Sequence, residues 1–303
     1  MNSPSFNIAA VERDTGLSKD VLRMWERRYG FPQPERDSNG ERSYPADQVE
    51  RLRLIKRLMD AGHRPGKLIA TPVEELSGFV SRRAKVQPSD NKADSADLGE
   101  LLALIKQHDS NGFHQAMQQR LARQGLQRFV QDTVAPLTRQ VGEAWEDGSV
   151  EVFEEHLFTE LTKRLLRQAI AGLPGGRRSP RILLTSVPDE AHVLGLLMAE
   201  ALFALEGAEC IPLGTQMPLL EIGRAATAHR ANIVALSFSV AFPQRQIPGL
   251  LQQLRTILAP DIELWAGGRG VLRLPPIDSV QLLGTFEPAL AALSDWRLTH
   301  AAG

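Results

Sequence analysis

One stretch of this chain carries a possible metal ligand, an acid and a glycine at informative intervals: Asp189-Glu190-Ala191-His192-Val193-Leu194-Gly195. The apolar run from Arg181 to Val187 before it reads as a buried parallel strand, and Leu196 to Ala204 after it as a helix. His192 therefore falls in a strand-to-helix loop, the place where open α/β sheets hold ligands. With a carboxylate two residues earlier and a glycine three later, the pattern is Asp/Glu-x-His-x-x-Gly. A neutral imidazole binds a transition metal through one nitrogen, and its other N–H then needs an acceptor that fixes the tautomer. Glu190 is placed to be that acceptor, with Asp189 as the alternative. Gly195 leaves room where something bulky must approach the backbone. Taken by itself, the stretch also reads as a surface-loop histidine ahead of a helix-packing glycine.

The surrounding elements alternate. Ile182–Val187, Glu209–Leu213, Ile233–Phe238, Ile262–Ala266 and Val280–Leu283 are predicted strands, with helices starting near His192, Leu219, Gln244 and Glu287. Such alternation predicts a parallel sheet with helices on both faces and an open mouth at the carboxyl ends of the strands. Ser237 and Ser239 end the third predicted strand and Gly267-Gly268 follows the fourth, so they line the same mouth as His192. With these marks the region resembles the cobalamin-binding domain of methionine synthase and of cobalamin-dependent mutases. The resemblance implies that His192 is the lower axial ligand of cobalt. It also implies that the serines bond the displaced nucleotide base and that the paired glycines let the nucleotide tail pass along the sheet. The usual serine motif is Ser-x-Leu, so Ser239 departs from it.

From Ser95 to Leu173 apolar residues recur at helical spacing. Leu98, Leu101, Leu102 and Ile105 mark one helix, and Phe113, Met117 and Leu121 a second. Leu126 to Trp145 is a third and Val152 to Ala171 a fourth. Short polar joints predict an antiparallel four-helix bundle. Nine residues separate Trp145 from Glu155-His156, with Asp147-Gly148 breaking the chain between them. Phe153, Leu157, Leu161 and Leu165 are the expected buried face of the last helix, with His156 at its edge. On spacing alone, a core tryptophan and an ordinary helix pair also explain this arrangement.

Near the amino terminus, Asn7 to Arg13 reads as a short helix, Thr15-Gly16-Leu17-Ser18 as a turn, and Lys19 to Tyr29 as a second helix ending at Gly30. That is the layout of a helix-turn-helix reader. The second helix carries Arg23, Arg27, Arg28 and Tyr29, with Trp25 expected in the core. Asn39-Gly40 predicts the tight turn of a two-stranded wing bearing Arg36, Arg42 and Tyr44. Arg23 and Arg27 are suited to base edges or phosphates, and the wing residues to phosphates. A third helix follows from Ala46 to Ala61, and a shorter one is expected from Leu68 to Val80. The string Leu22-Arg23-Met24-Trp25-Glu26-Arg27-Arg28-Tyr29-Gly30, the Gly-x-Arg-x-Tyr at Gly40 to Tyr44, and Asp60-Ala61-Gly62 resemble the MerR family of winged-helix DNA-binding regulators.

The order of the parts, with the Trp-x9-Glu-His spacing, resembles the light-sensing MerR regulators of the CarH type. The expected fold is thus multidomain, α and α/β. A winged helix-turn-helix spans 1–80 and a linker 81–95. A four-helix bundle cap spans 96–173, a linker 174–180, and a Rossmann-like parallel-sheet cobalamin-binding domain 181–303. The resemblance implies that Trp145, Glu155 and His156 lie against the upper face of adenosylcobalamin. It implies a photoreceptor and repressor that binds double-stranded operator DNA as a homo-oligomer, dimer or tetramer, and is released on photolysis. In photoreceptor members the residue after the tryptophan can be a histidine that caps cobalt after illumination; here it is Glu146. Either another histidine such as His156 serves, or the light product differs. The alternative reading is a regulator that uses the same fold as a cobalamin-independent protein-interaction module.

Composition narrows the classes. A net charge of −1 over 303 residues excludes a wholesale basic nucleic-acid coat and leaves room for a local basic patch. The single Cys210 allows no disulfide framework within one chain and fits a reducing, cytoplasmic location. Neither a signal peptide nor a bilayer-spanning run is expected, and so no membrane partner. No Ser-His-Asp, zinc or phosphate-loop pattern emerges, since Gly267-Gly268-Arg269-Gly270 lacks the Lys-Ser/Thr of a nucleotide loop, and an enzyme is not expected.

Overall fold

The computed structural model describes residues 5–37, 40–60, 63–73, 75–76, 92–173 and 178–300. Residues 1–90 with 146–149 form one compact unit, and 91–145 with 150–303 the other.

The first unit contains β1 (Ser5–Asn7), α1 (Ile8–Thr15), α2 (Lys19–Tyr29), β2 (Glu35–Arg36), β3 (Arg42–Pro45), α3 (Ala46–Asp60) and α4 (Pro65–Ala70). Asn7 caps α1 by accepting the Ala10 N–H, and Ser18 caps α2 by accepting the Val21 N–H. The wing has three strands, ordered β1-β3-β2 and antiparallel throughout. β1 is too short to show alternation, so it was invisible to periodicity. Val11, Leu22, Trp25, Tyr44, Leu52 and Ile55 form the core, with Trp25 buried as expected. The helix expected from Leu68 to Val80 is interrupted: α4 stops at Ala70, and helical backbone resumes at Val73, Glu75 and Leu76. Pro72 drives Thr71 into extended backbone (φ −89°, ψ 135°), which ends the helix. Asn39, Ala61-Gly62 and residues 77–80 lie outside the described residues.

The second unit begins with α5 (Lys92–Lys106), α6 (Ser110–Arg128), a π-helical turn (Phe129–Val134), α7 (Ala135–Glu146) and α8 (Val152–Ala171). It continues with β4 (Arg178–Thr185), α9 (Leu194–Leu205), β5 (Ala208–Gly214), α10 (Leu219–Ala228), β6 (Ile233–Ser237), α11 (Ile247–Ile257), β7 (Glu263–Gly267), β8 (Val280–Leu283) and α12 (Phe286–His300). The five strands are all parallel, in the order β5-β4-β6-β7-β8. Both expected linkers are shorter than the sequence implied. Helix α5 starts at Lys92, and β4 starts at Arg178, which pairs with Ala208 across a register shift. A backbone ladder does not require apolar side chains, so the polar start of β4 passed for linker. Residues 81–91 and 174–177 lie outside the described residues.

Two details of the bundle differ from expectation. The third helix is not continuous from Leu126: Gly125 (φ 73°, ψ 162°) kinks α6, and the π turn intervenes before α7. On α8 the buried stripe is Glu154, Phe158, Thr162, Leu165 and Leu166, whereas Phe153 is 58% exposed. Phe158 packs edge-on against Phe113, and Glu154 turns inward to accept the Glu151 N–H and meet His108. Of the expected face, Leu165 is buried and Leu161 packs on the core, while these partners bring Phe158 and Thr162 inward in place of Phe153.

The bundle and the sheet share α9. Its Leu194, Leu197, Met198, Ala201 and Leu202 belong to one apolar core with Leu101, Phe113, Phe129, Leu137 and Phe158. Its Leu196 and Phe203 face the sheet, where Phe203 meets Trp265. A helix apolar on all sides is buried on all sides. Among the described residues, no helix is long and apolar enough to cross a membrane. Leu202, 1% exposed, sits in the shared core. Leu202→Ala is expected to cost about 2–5 kcal/mol. Because α9 contributes to both the bundle core and the sheet core, urea unfolding with hydrogen exchange should show bundle and sheet amides losing protection together.

Candidate cofactor crevice and DNA-facing surface

The strand order reverses at β4: its connection runs outward to β5, and the chain then crosses back to β6 on the other side. Loops that leave a sheet in opposite directions open a crevice at the carboxyl ends of the strands. The loops after β4 and β6 both contribute to it. Beyond β4, Ser186 Oγ donates to the Glu190 carbonyl and accepts the Gln216 N–H at 2.9 Å, which pins the loop to the segment after β5. Asp189 takes a left-handed conformation (φ 68°) and stays exposed, while Glu190 turns inward and is 1% exposed. Of the two acids left open by the sequence, Glu190 is the acceptor.

A buried carboxylate needs donors on both oxygens. Glu190 Oε1 accepts the His192 N–H at 3.0 Å and meets His192 Nδ1 at 2.7 Å. Its Oε2 accepts the Ser239 N–H at 2.7 Å and the Ser239 hydroxyl at 2.9 Å. Ser239 Oγ also lies 3.0 Å from His192 Nδ1. Burial pushes the Glu190 carboxyl up, while hydrogen bonds from the His192 ring and from the Ser239 and His192 backbone N–H groups together pull it below its ordinary value. An ionised carboxylate only accepts, so the His192 ring donates to it from Nδ1. The His192 side chain is 62% exposed at the crevice. Among the described residues no group of three His, Cys, Asp or Glu could cage a metal ion.

The other predicted sheet residues surround this network. A Cβ on Gly195 would come within 2.7 Å of Ser237 Oγ, so glycine lets α9 start against the end of β6. Gly268 has φ +89°, and a Cβ there would come within 2.4 Å of the Phe238 carbonyl. Gly267 pairs with Ser237 across the ladder, and its added Cβ would meet only ordinary contacts. Val240, after Ser239, and Leu272, after the turn at Arg269–Val271, are 59% and 53% exposed. The crevice thus combines an oriented imidazole with small residues at the strand ends, an arrangement that fits a corrinoid. Sequence reasoning missed Ser186, which it placed inside the strand; β4 ends at Thr185, and the freed hydroxyl joins the loop.

Trp145, Glu155 and His156 belong to the bundle. The Val150 N–H donates to the Ala144 carbonyl at 2.9 Å, closing the turn that brings the end of α7 beside the start of α8. Trp145 is half-buried in the last turn of α7. His156 is exposed, with Nδ1 2.9 Å from the Val152 carbonyl and 3.0 Å from Glu155 Oε2. Glu155 Oε1 accepts the Thr159 hydroxyl at 2.8 Å.

On the first unit, Arg23, Arg27 and Arg28 are exposed along α2, with Arg28 stacked over the ring of half-buried Tyr29. Asp20, Arg23, Arg27 and Arg42 line one concavity between α2 and the wing. Arg36 is exposed on β2. Tyr44 corrects an expectation. It is 0% exposed, opposite Phe6 in the sheet, and belongs to the core rather than to a phosphate-gripping surface. Arg42 is half-buried and paired with Glu26, a residue that sequence reasoning passed over.

The lowered Glu190 value has a definite sign. Its stabilisation is complete above the ordinary carboxylate value of 4.5 and is lost as pH falls through the lower folded-state value. Glu190→Gln should therefore be most destabilising near neutrality. Its difference from the unmodified protein should shrink in acid, as urea unfolding at stepped pH will measure. A difference that stays constant across the acid range contradicts the role given to this carboxylate.

Residues 6–69 match the MerR HTH family regulatory protein family, and residues 98–170 the B12 binding domain family. The chain is 31% identical to the HTH-type transcriptional repressor CarH of Myxococcus xanthus over 88% of its own length and 90% of that protein. It is 25% identical to the HTH-type transcriptional repressor CarA of the same organism, over 88% of this chain and 87% of that one. The monomethylamine corrinoid protein of Methanosarcina barkeri shares the fold at a TM-score of 0.53 and 14% identity, covering 67% of this chain and 99% of that one. With a winged unit, a helical bundle and a strand-end histidine following one another along the chain, this chain belongs to the MerR family of HTH transcriptional regulators that carry a B12-binding domain, a family of regulators rather than enzymes.

Proposed function

We propose that this regulator binds adenosylcobalamin, that the cofactor controls its oligomerisation and its grip on operator DNA, and that light is the signal. The observation that carries this reading is His192, whose ring is held through Nδ1 by buried Glu190 in the loop after β4, at the crevice between β4 and β6. Among the described residues, no group of three His, Cys, Asp or Glu surrounds the imidazole, which suits a metal that would arrive already held by a macrocycle. Glu190 and Ser239 fix the ring and its tautomer, while Gly195, Gly267 and Gly268 keep the strand ends low. Trp145, Glu155 and His156 are assigned to the upper face through the family pattern. When bound, adenosylcobalamin supplies a cobalt–carbon bond that visible light breaks.

The chain itself offers a route from crevice to bundle. Helix α9 starts two residues after His192, and five of its side chains are embedded in the bundle core. One winged unit contacts few base pairs, so a homo-oligomer gains avidity by engaging repeated half-sites. The proposed state in the dark is the assembled, DNA-bound repressor.

The test is the purified protein mixed with adenosylcobalamin in the dark and passed through gel filtration. A coloured protein peak is expected, with a spectrum that changes irreversibly on illumination, a smaller particle afterwards and loss of operator binding. His192→Ala should weaken retention of the chromophore by about 10- to 100-fold. A colourless peak with operator binding indifferent to cobalamin would overturn the proposal in favour of a protein-interaction module. A retained chromophore with no response to light would remove light as the signal and leave cobalamin.

A further inference from the structure

Arg36 and Arg42 stand directly opposite each other on the antiparallel pair β2–β3. Directly opposed residues project from the same face of a sheet, and like charges placed so repel. The two arginines escape in different ways. Arg36 Nη1 donates to the Gly40 carbonyl at 2.7 Å, at the tip of the wing. Arg42 reaches α2 instead: its Nε donates to Glu26 Oε2 at 2.8 Å and its Nη2 to Oε1 at 3.4 Å. Both partners are only 28% exposed. Side chains alternate along a strand, so Arg42 shares a face with Tyr44, which is in the core. The guanidinium is directed at the helix by the same geometry that buries the tyrosine.

The arginines of α2 are held differently. Arg23 lies 3.6 Å from an Asp20 that is 93% exposed, and Arg27 Nε donates to the Arg23 carbonyl at 3.4 Å. Among the described residues, neither is tied to a shielded carboxylate. We propose that Arg42 is a positioning residue for DNA recognition: paired with Glu26, it clamps the wing against α2, while Arg23 and Arg27 neutralise phosphate or meet base edges. The proposal rests on the reading of α2 and the wing as the DNA surface. A forked, partly shielded pair is a strong hydrogen-bonded contact, and a guanidinium already neutralised releases no counterions when DNA arrives.

Salt dependence separates the two roles. Full-length protein is titrated by fluorescence anisotropy against a labelled duplex enriched from a random pool, and against the unselected pool, over a series of KCl concentrations. Each phosphate neutralised adds about 0.9 to the slope of log K against log salt. Arg27→Gln should lower the slope by about that amount for each phosphate it no longer neutralises. Arg42→Gln should weaken binding to the enriched duplex about tenfold and leave the slope unchanged. Glu26→Gln supplies a second, opposite-signed reading, since it removes a negative charge from a basic face. If Arg42 clamps the wing, the ratio of enriched to unselected binding falls about tenfold; if Arg42 grips phosphate, Glu26→Gln binds DNA more tightly and with a steeper slope. A slope drop in Arg42→Gln equal to that of Arg27→Gln, or tighter binding by Glu26→Gln with the ratio preserved, overturns the proposal. Failure of the unmodified protein to bind either duplex would instead overturn the DNA surface itself, and the clamp with it.

Discussion

The carboxylate of Glu190 is buried at the mouth of the parallel sheet, and the crevice depends on its being satisfied there. An ion taken out of water needs hydrogen bonds to offset the loss of solvation. Here the donors come from two loops on opposite sides of the strand-order reversal: His192 after β4 and Ser239 after β6. The demand for donors thus joins the loops that define the crevice, and the same bonds orient the imidazole. Ser239 is notable because it stands where the related motif has leucine. Its hydroxyl and N–H together hold one oxygen of the acid, leaving the other to His192.

What the crevice holds is mechanically close to what the bundle rests on. The loop bearing His192 runs directly into α9, and α9 is shared between the bundle core and the sheet. Packed cores respond to displacement by repacking rather than by flowing. A load on the loop after β4 is therefore felt first by the helix that carries the bundle. Cys210, the single thiol, is remote from this chemistry. It lies on β5 with Sγ donating to the Glu200 backbone carbonyl, and burial, then the Glu200 carboxylate, push its thiol up to about 12.

In the winged unit, charge and shape are set by different residues. Trp25, Tyr44 and Leu52 build a core that leaves one face of α2 outward. On that face the exposed arginines provide the positive field. Arg42, although it lines the same concavity, is paired with Glu26 at the junction of wing and helix. Counting basic residues in a motif therefore overstates the charge a partner meets, since part of it is already matched within the fold.

Features that follow from local rules were legible in the chain alone. Ser18 ahead of α2, the alternation of apolar runs with helices, and the placement of His192 between a strand and a helix each depend on neighbours within a few residues. Trp25 as core and the five parallel strands follow from the same periodicities. Contacts between distant segments were not legible. Ser239 is 49 residues from Glu190, and only the order of strands in the sheet makes them neighbours. Likewise, the aromatic partner Phe113 and the inward turn of Glu154 placed Phe158 and Glu154 in the core of α8 and left Phe153 outside, although Leu165 is buried as its spacing implied. Arg42 and Tyr44 shared a strand face in the sequence from the start, but which side faced α2 was settled by packing against Glu26 and the core. Periodicity states which residues share a face; it contains nothing about which distant surface that face will meet.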